Sequence, residues 1–568
     1  MKKLFVTIGF LLFILLTQAQ NPSFQWGKRA GSTHSDYGNS VTCDAYGNVY
    51  TTGSFTGTVD FDPGPGLFNR VSYGCYDAFV FKLDRFGNFK WATSISANAV
   101  EGNSIKVDSL GNVCIVGRFS GVGDFNTGPG VCNLDGSIGE IFILKLDSLG
   151  SFLWAVNTGG CTPIYANERL NRTTSLTLDN KGYIYIVGYF EGVVDFDSGI
   201  GIFNLSSPSI AMFIEKLNPL GSFMWARGFS STDVCMGNSI SLDKLGGIYA
   251  TGLFSGTTDF DPGLSQFNIT SLGPKNIFIS KLDSAGNFVW AKNIDSFDPD
   301  EGGAGLSIIP DENGNTYTTG YFRAQSDFDP GGGTYYLTPF QGDDIFILKL
   351  DPMGNLDWVK SFDGTGYDYG NSIELDALGN IYSMGHFGGK ADFDPGLGQY
   401  YITSAGLQDI FISKLDPSGN FLGAKSIGGV GQDVGNLMCL DPFGNIYCTG
   451  YFNETMDFDP DPSVFNLTSA GEYDIFIDKV SSYYLGIDGA ALNSSLAGCY
   501  PNPSNGLFNI ELTENAQIII TNTLDQVLSN KSLLAGNHSI DLKNEANGIY
   551  FIKAISGSKH QTVKVIKL

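Results

Sequence analysis

The chain has 568 residues, with 58 acidic and 33 basic side chains and a formal net charge of −25 at pH 7. Such an acidic protein lacks the clustered Lys and Arg side chains that bind phosphates, which argues against nucleic acid or anionic lipid as a partner. Aromatic residues make up 13% and glycines number 74, a composition typical of a β-rich, turn-dense protein. We expect no membrane span in the mature chain, because no later segment approaches about 18 consecutive apolar residues.

The N-terminus predicts a secretory signal peptide over residues 1–19. A short basic region and an apolar run that ends at Leu16 precede small residues. This order is typical of a cleaved export signal, and the apolar run is short for a spanning helix. We expect cleavage between Ala19 and Gln20; an uncleaved membrane anchor is the alternative.

Residues 20–480 repeat one pattern seven times. The frame F-x-G-x-x-D-F-[DN] recurs every 64 to 71 residues, and its first acids, called the D-F aspartates, are Asp60, Asp124, Asp195, Asp259, Asp327, Asp392 and Asp457. Each repeat holds four short apolar runs of strand length, joined by D-x-x-G segments. An Asp that opens a type I turn, followed by Gly in the left-handed region, is typical of a β-hairpin. Each repeat is therefore predicted to be a four-stranded antiparallel meander.

Seven such units predict an all-β protein built on a seven-bladed β-propeller. The period is too long for an open solenoid, whose rungs usually have about 20–30 residues. The seventh repeat stops without a fourth strand, whereas residues 24–28 (FQWGK) precede the first repeat and resemble one. We predict that this N-terminal strand completes the last blade and closes the ring.

All six tryptophans occupy the fourth-strand motif F-x-W-A or its N-terminal copy, and Gly423 takes their place in the sixth repeat. We expect them to pack between adjacent blades, because a large apolar ring buries much area. A row of rings that stacks on carbohydrate is the alternative. These residues are Trp26, Trp91, Trp154, Trp225, Trp290 and Trp358.

Each third strand carries one lysine on the face of a preceding Val or Ile. These third-strand lysines are Lys82, Lys145, Lys216, Lys281, Lys349, Lys414 and Lys479. A partly buried charge needs a partner of opposite sign. We therefore predict a structural ion pair between the lysine and the D-F aspartate of each repeat.

The D-F-D-P-G segments also suggest a calcium hypothesis, because oxygen-rich loops suit this cation. Alone, the D-x-D spacing is a weak match, and no other metal or cofactor is indicated. The candidate ligands are Asp60, Asp62, Asp259, Asp261, Asp327, Asp329, Asp392, Asp394, Asp457 and Asp459.

The sequence shows no catalytic constellation. The four histidines are scattered, and no zinc-protease, nucleophile-elbow or phosphate-loop motif occurs. The longest insertion, residues 157–174, is the best candidate for a grafted binding loop, and an ordinary long connection is the alternative. Nine scattered cysteines leave disulfide pairing open, and free buried thiols are favoured. Three D-[ST]-[apolar] tripeptides, which turn chemistry also explains, are candidate O-glycosylation sites at Ser109, Ser148 and Ser284.

Two regions resemble known families. The frame G-N-x-Y-x-x-G-x-F…D-F…D-[IA]-F-[IV]-x-K-L-D-x-x-G-N-F-x-W-A is similar to the SBBP-type bacterial β-propeller repeat. Residues 499–568 contain P-N-P-x-x-G-x-F, G-I-Y-F and a K-V-I-K-L end, and resemble the type A sorting domain of type IX secretion in Bacteroidetes-type bacteria. The second resemblance implies passage through the periplasm and across the outer membrane by the type IX machinery, then release or surface attachment.

The predicted organisation is a signal peptide (1–19), a propeller (20–480), a linker (481–498) and a small sorting β-sandwich (499–568). We expect an exported, non-enzymatic scaffold that binds an extracellular protein or glycan at the cell surface or in the medium. A secreted hydrolase that acts on polysaccharide or peptide through a cleft on the loop face is the alternative. One loop-built pocket with unlike polar residues would favour the enzyme.

Overall fold

The computed structural model describes residues 24–158, 175–298, 302–481, 497–500, 506–512, 515–522, 527–556 and 559–567. All the secondary-structure elements in these ranges are β-strands, and paired strands run antiparallel, which confirms the all-β prediction. No helix long and apolar enough to cross a bilayer occurs in these ranges. The predicted signal peptide with Ala19 and Gln20, most of the linker and most of the insertion at 157–174 lie outside the described residues. The chain divides into two compact units, residues 1–486 and 487–568.

The first unit begins with β1 (Phe24–Ala30). The first repeat contains β2 (Tyr37–Cys43), β3 (Val49–Phe55), β4 (Thr58–Asp60), β5 (Asn69–Val71), β6 (Asp77–Leu83) and β7 (Phe89–Ile95). The second repeat contains β8 (Ala99–Val107), β9 (Val113–Asp124), β10 (Asn133–Leu146) and β11 (Phe152–Thr158). The third contains β12 (Ser175–Leu178), β13 (Ile184–Asp195), β14 (Asn204–Leu217) and β15 (Phe223–Phe229).

The later repeats follow the first. The fourth contains β16 (Cys235–Leu242), β17 (Ile248–Phe254), β18 (Thr257–Asp259), β19 (Asn268–Thr270), β20 (Asn276–Leu282) and β21 (Phe288–Ser296). The fifth contains β22 (Gly303–Pro310), β23 (Thr316–Phe322), β24 (Ser326–Asp327), β25 (Tyr336–Leu337), β26 (Asp344–Leu350) and β27 (Leu356–Gly364). The sixth contains β28 (Tyr369–Leu375), β29 (Ile381–Phe387), β30 (Lys390–Asp392), β31 (Tyr401–Thr403), β32 (Asp409–Leu415) and β33 (Phe421–Gly429). The seventh contains β34 (Val434–Leu440), β35 (Asn445–Phe452), β36 (Thr455–Asp457), β37 (Asn466–Thr468) and β38 (Asp474–Ser481).

Each of the first six repeats forms one blade-like sheet of four long strands in chain order, such as β2–β3–β6–β7, which confirms the predicted meander. The connection from the second to the third long strand carries the D-F frame, and in most repeats it forms a short hairpin. In the fifth repeat this hairpin pairs with the outer edge of the preceding sheet, where Asp295 lies opposite Asp327. The D-F segment therefore links neighbouring sheets.

The last sheet has the order β1–β38–β35–β34. Trp26 lies opposite Lys479 and Lys28 lies opposite Ile477. The N-terminal strand thus takes the fourth place in the seventh sheet, as residues 24–28 predicted. This pairing satisfies backbone groups of β38 that an open edge would expose.

The apolar core of this unit lies between consecutive sheets. One cluster, for example, combines Tyr50 and Val80 of the first repeat with Ile105 and Phe142 of the second. Another combines Val41 of the first repeat with Ile475 of the last sheet. We call the contact between the last sheet and the first repeat the terminal seam.

The second unit contains β39 (Ala497–Tyr500), β40 (Leu507–Leu512), β41 (Ala516–Asn522), β42 (Val527–Leu533), β43 (Gly536–Asp541), β44 (Gly548–Ser556) and β45 (Lys559–Lys567). They form the sheets β39–β40–β43 and β42–β41–β44–β45. Phe508 of the first sheet and Ile518 and Ile552 of the second share one apolar core. Two sheets around one core are a small β-sandwich.

Candidate binding surface

The D-x-x-G turns are held by local hydrogen bonds. In the first turn, Oδ1 of Asp44 accepts the backbone N–H groups of Tyr46 and Asn48, both at 2.9 Å. Gly47 has a φ of +78°, a conformation that favours glycine. The same arrangement recurs in the other turns, such as the one that Asp376 opens. The third turn residue takes no part in these bonds through its side chain.

Nine of these turns nevertheless carry a large apolar side chain at their third position. The nine side chains are between 51% and 91% exposed. Other copies of the turn hold Lys181, Asn313 or Ser418 there, so the turn itself does not require an apolar group. All the turns lie at one end of their sheets, because they join first to second and third to fourth strands. This turn face consists of Tyr46, Phe86, Leu110, Leu149, Leu220, Leu245, Met353, Leu378 and Phe443.

The turn face contains a groove of 440 Å³ at the terminal seam. Trp26, Phe86 and Phe443 line it together with Arg85, whose guanidinium lies 4.7 Å from the centroid of the Phe86 ring. The remaining lining residues are Gln25, Asp441, Asn445 and Lys479. Exposed aromatic rings beside an arginine are the residue types that protein interfaces concentrate at their anchors.

The tryptophans lie at the seams between sheets. Trp91 donates its indole N–H to the carbonyl of Ser148, in the next repeat, at 3.2 Å. Trp26 makes the equivalent bond to Arg85 across the terminal seam, also at 3.2 Å. The turn glycine beneath the ring leaves room for it: a Cβ on Gly150 would lie 2.7 Å from Trp91. The rings of Trp154, Trp225, Trp290 and Trp358 likewise lie against the turn glycine of the next repeat.

The third-strand lysines contact second-strand tyrosines. Nζ of Lys82 lies 4.7 Å from the centroid of the Tyr50 ring, and the Tyr50 hydroxyl donates to Asp44 at 3.1 Å. A cation over an aromatic face is attracted by the ring quadrupole. Burial lowers the pKa of Lys82, and the charge of Asp44 partly opposes that shift. The same contact joins Lys216 to Tyr185, Lys281 to Tyr249, Lys349 to Tyr317, Lys414 to Tyr382 and Lys479 to Tyr447.

The second repeat has Cys114 where the others have tyrosine, and its lysine pairs directly with a turn aspartate. Lys145 lies 3.2 Å from Asp108, and both side chains are under 10% exposed. Lys349 also pairs with Asp357, on the fourth strand, at 2.9 Å. The predicted partner, the D-F aspartate, was therefore wrong for these two lysines.

The D-F aspartates instead hold their own loops. Oδ1 of Asp60 accepts the backbone N–H groups of Asp62 at 3.0 Å and Phe68 at 2.7 Å. Asp62 in turn accepts the N–H of Gly64 at 2.8 Å. All seven repeats share the first pair of bonds, which gives the first acid a role in the loop. The bond to the second position also recurs, with Asn126 in place of the acid in the second repeat. Within the described ranges, no group of three or more His, Cys, Asp or Glu side chains is placed to hold a metal. The calcium hypothesis stays a prediction.

Acids that the sequence analysis did not single out lie buried near the seams. Burial raises the pKa of Asp409 to about 6 and that of Asp433 to about 8, and the charge of Asp409 contributes to the second shift. Each caps a loop: Ala405 donates to Asp409 at 2.9 Å and Gly429 to Asp433 at 2.7 Å. Both Oδ1 atoms lack a hydrogen-bond partner within the part of the chain that the structure describes. Neither residue lines the groove. Asp409 opens the D-I-F strand β32 and Asp433 directly precedes β34, and these positions were the only signal in the sequence.

The three candidate O-glycosylation serines occupy the second position of D-x-x-G turns. Ser109 and Ser284 are exposed. Ser148 is half-buried, and its carbonyl accepts bonds from Lys82 and Trp91. Their modification stays a prediction.

Residues 498–568 match the family model described as the secretion system C-terminal sorting domain. The chain therefore carries the signal of type IX secretion and is a protein of the cell surface or the extracellular space. The sorting domain also implies an interaction with the type IX secretion machinery.

Outside the tail, the similarities are distant. Over 527 residues the chain is 23% identical to the uncharacterized WD repeat-containing protein L264 of Acanthamoeba polyphaga mimivirus, covering 77% of this chain and 36% of that protein. The chain thus spans about a third of the length of this relative. PorZ, titled an essential surface component of the type-IX secretion system of Porphyromonas gingivalis, aligns over 95% of this chain and 100% of its own, at 11% identity and a TM-score of 0.17. The extracellular region of plexin A4 aligns over 96% of this chain and 62% of its own, at 9% identity and a TM-score of 0.26. TM-scores this low carry no argument.

Proposed function

We propose that residues 24–481 form a closed seven-bladed β-propeller of the SBBP type, exported with the help of a cleaved signal at residues 1–19. The pairing of β1 with β38 supports closure, because it gives the seventh sheet the same four strands as the others. The apolar cluster shared by Val41 and Ile475 supports it as well, since it joins the first and last sheets. Closure leaves few open strand edges, which suits an extracellular protein.

We further propose that this propeller is a non-enzymatic scaffold that binds a protein partner through its turn face. The observation that carries the proposal is the set of nine exposed apolar side chains at a turn position that tolerates polar residues. Their recurrence at one end of the sheets, at a position where the turn does not need them, favours an interaction surface. The groove beside Trp26, with Phe86, Phe443 and Arg85, supplies an anchor at one point of this face.

A hydrolase is supported less well. A catalytic carboxylate pair needs access to substrate as well as unlike environments. Glu215 and Asp433, with pKa values raised to about 8, are both 0% exposed. Their shifted pKa values are explained by burial inside the fold.

The experiment compares two matched triple variants of the full-length exported protein. The first carries Leu110→Ser, Leu245→Ser and Leu378→Ser on the turn face, where Ser418 shows that serine fits the turn. The control carries Leu67→Ser, Leu264→Ser and Leu397→Ser in the D-F loops, which are 81% to 108% exposed. Each protein is immobilised and exposed to surface proteins of the producing cell, and the retained proteins are quantified by mass spectrometry.

We expect the wild type and the loop control to retain one protein in equal amounts. The turn-face variant should retain at least about tenfold less of it, which corresponds to a loss of about 1.4 kcal/mol of binding free energy. Equal retention by all three proteins would contradict the turn-face proposal. Binding to a glycan array that the turn-face variant loses would make the partner a glycan instead. Release of products from polysaccharide or peptide by the purified wild type would favour the hydrolase.

A further inference from the structure

Two cysteines meet at the terminal seam, although they lie near opposite ends of the repeat region. Cys43 ends β2, and Cys439 is the next-to-last residue of β34. The Cys43 thiol donates to the carbonyl of Leu440, 397 residues away, with an S–O distance of 3.4 Å. Cys43 packs against the apolar cluster that contains Cys439, and the neighbouring Cys43 thiol adds to the effect of burial in raising the pKa of Cys439. The contact is therefore between the first strands of the first and last sheets.

The repeat pattern makes this pair unusual. At the position equivalent to Cys43 the other repeats have Val107, Leu178, Leu242, Pro310, Leu375 and Leu440. At the position equivalent to Cys439 they have Thr42, Lys106, Thr177, Ser241, Ile309 and Glu374. Facing cysteines thus occur at this pair of positions only where the first and last repeats meet. Both cysteines are free thiols in this structure, as are the remaining described cysteines Cys75, Cys114, Cys132, Cys235 and Cys448, which lie at other positions in the repeats.

We propose that Cys43 and Cys439 form a disulfide bond that joins the first and last sheets covalently. The sorting domain indicates a protein of the cell surface or the extracellular space, where disulfides persist. The oxidant is an external disulfide, such as that of a thiol–disulfide oxidase. The thiolate of Cys43, the more exposed partner, attacks it, forms a mixed disulfide and releases one thiol.

Cys439 completes the exchange. Its thiolate attacks the Cys43 sulfur of the mixed disulfide and releases the second thiol of the oxidant. In total, two cysteine thiols lose two electrons and two protons, and one external disulfide is reduced to two thiols. Lys479, on the third strand of the last sheet, lies close enough to Cys43 for the two groups to interact electrostatically.

The disulfide bond would stabilise the fold mainly by lowering the conformational entropy of the unfolded state. Without it, β1 and the first repeat are held against β34, β35 and β38 only by noncovalent contacts. A crosslink between residues so far apart in the chain strongly restricts the unfolded ensemble. The terminal seam would then keep its contacts during local opening of the N-terminal strand.

The decisive experiment is a disulfide map of the full-length exported protein, purified without reductant. Free thiols are blocked with N-ethylmaleimide, the protein is digested without reduction, and peptides are identified by mass spectrometry. We expect a linked pair of peptides that contain Cys43 and Cys439. Alkylation of both residues, or linkage of either to another cysteine, would overturn the proposal.

A thermal measurement provides a second test, with Cys75→Ser as the matched control because Cys75 is exposed and away from the seam. A reductant should lower the Tm of the wild type and of Cys75→Ser by about 5 °C. It should leave the Tm of Cys43→Ser unchanged. An equal response of Cys43→Ser and wild type would contradict the proposal. The peptide map of the wild type decides the question even if Cys43→Ser fails to fold.

Discussion

The terminal seam and the internal seams use the same contacts but differ in how the chain connects them. At an internal seam, Trp91 donates to Ser148 and both belong to consecutive repeats. At the terminal seam, Trp26 donates to Arg85 in the same way, yet its strand has no covalent continuity with β38, on which it packs. The terminal seam also has two neighbouring cysteines and a groove that two exposed phenylalanines help to line. The packing that all repeats share is therefore supplemented where the first and last repeats meet.

The largest expected difference between the seams comes from the tryptophans. Trp26→Ala and Trp91→Ala should each lower the free energy of unfolding by about 2–4 kcal/mol, because a large ring leaves a cavity at the seam. Only Trp26→Ala should also release β1, since that strand pairs with β38 alone. Chemical denaturation measures the first effect, and hydrogen exchange of Asp474–Ser481 measures the second. Equal protection of β38 in both variants would remove the proposed difference between seams.

The lysines provide a second, smaller comparison. Lys145→Met should cost about 2 kcal/mol, because it leaves the Asp108 carboxylate buried without its cation. Lys479→Met should cost about 1 kcal/mol, because Lys479 lies over the Tyr447 ring and bonds to the Arg85 carbonyl at 3.0 Å. Urea denaturation of the two variants gives both values. A larger loss for Lys479→Met would mean that the terminal seam depends more on its lysine than an internal seam does.

The smallest effect concerns pH and the buried acids. The folded-state pKa values of Asp409 and Asp433, raised to about 6 and 8, exceed those of an unfolded chain. Their contribution to stability is thus complete below about pH 4 and is lost as the pH rises through 6 to 8. The Tm should be lower at pH 8.5 than at pH 5.5.

Asp433→Asn tests this assignment, because an amide cannot ionise. The variant should be more stable than the wild type by about 1 kcal/mol at pH 8.5 and should show a flatter dependence of Tm on pH. Glu312→Gln is the matched control, because it also removes one negative charge but from a side chain that is 77% exposed. An unchanged pH profile in Asp433→Asn would show that other groups cause the loss. At the terminal seam, Asp474 is the equivalent of Asp409, and Arg29 lies 2.6 Å from it. This cation should make the stability of the terminal seam less sensitive to pH.

Sequence periodicity predicted the strands well because its causes are local. The bonds of Asp44 reach two and four residues ahead, and those of Asp60 reach two and eight. The missing fourth strand of the last repeat also indicated where β1 belongs. For Lys145 and Lys349 the predicted partner was wrong, because counting one acid per repeat does not say which acid the lysine reaches. In the first repeat, Tyr50 contacts both the lysine and the turn aspartate: Lys82 lies over its ring, and its hydroxyl donates to Asp44.

By itself, the sequence determined the repeat, its turns, the all-β class and the sorting tail, since each depends on residues close together in the chain. Tertiary structure decided what happens across seams: the lysine contacts, the burial of Asp433, the groove at Trp26 and the meeting of Cys43 with Cys439. The physical reason is that seam neighbours come from different repeats, up to about 400 positions apart. Their distance is set by how the sheets pack, which no local pattern of residues encodes.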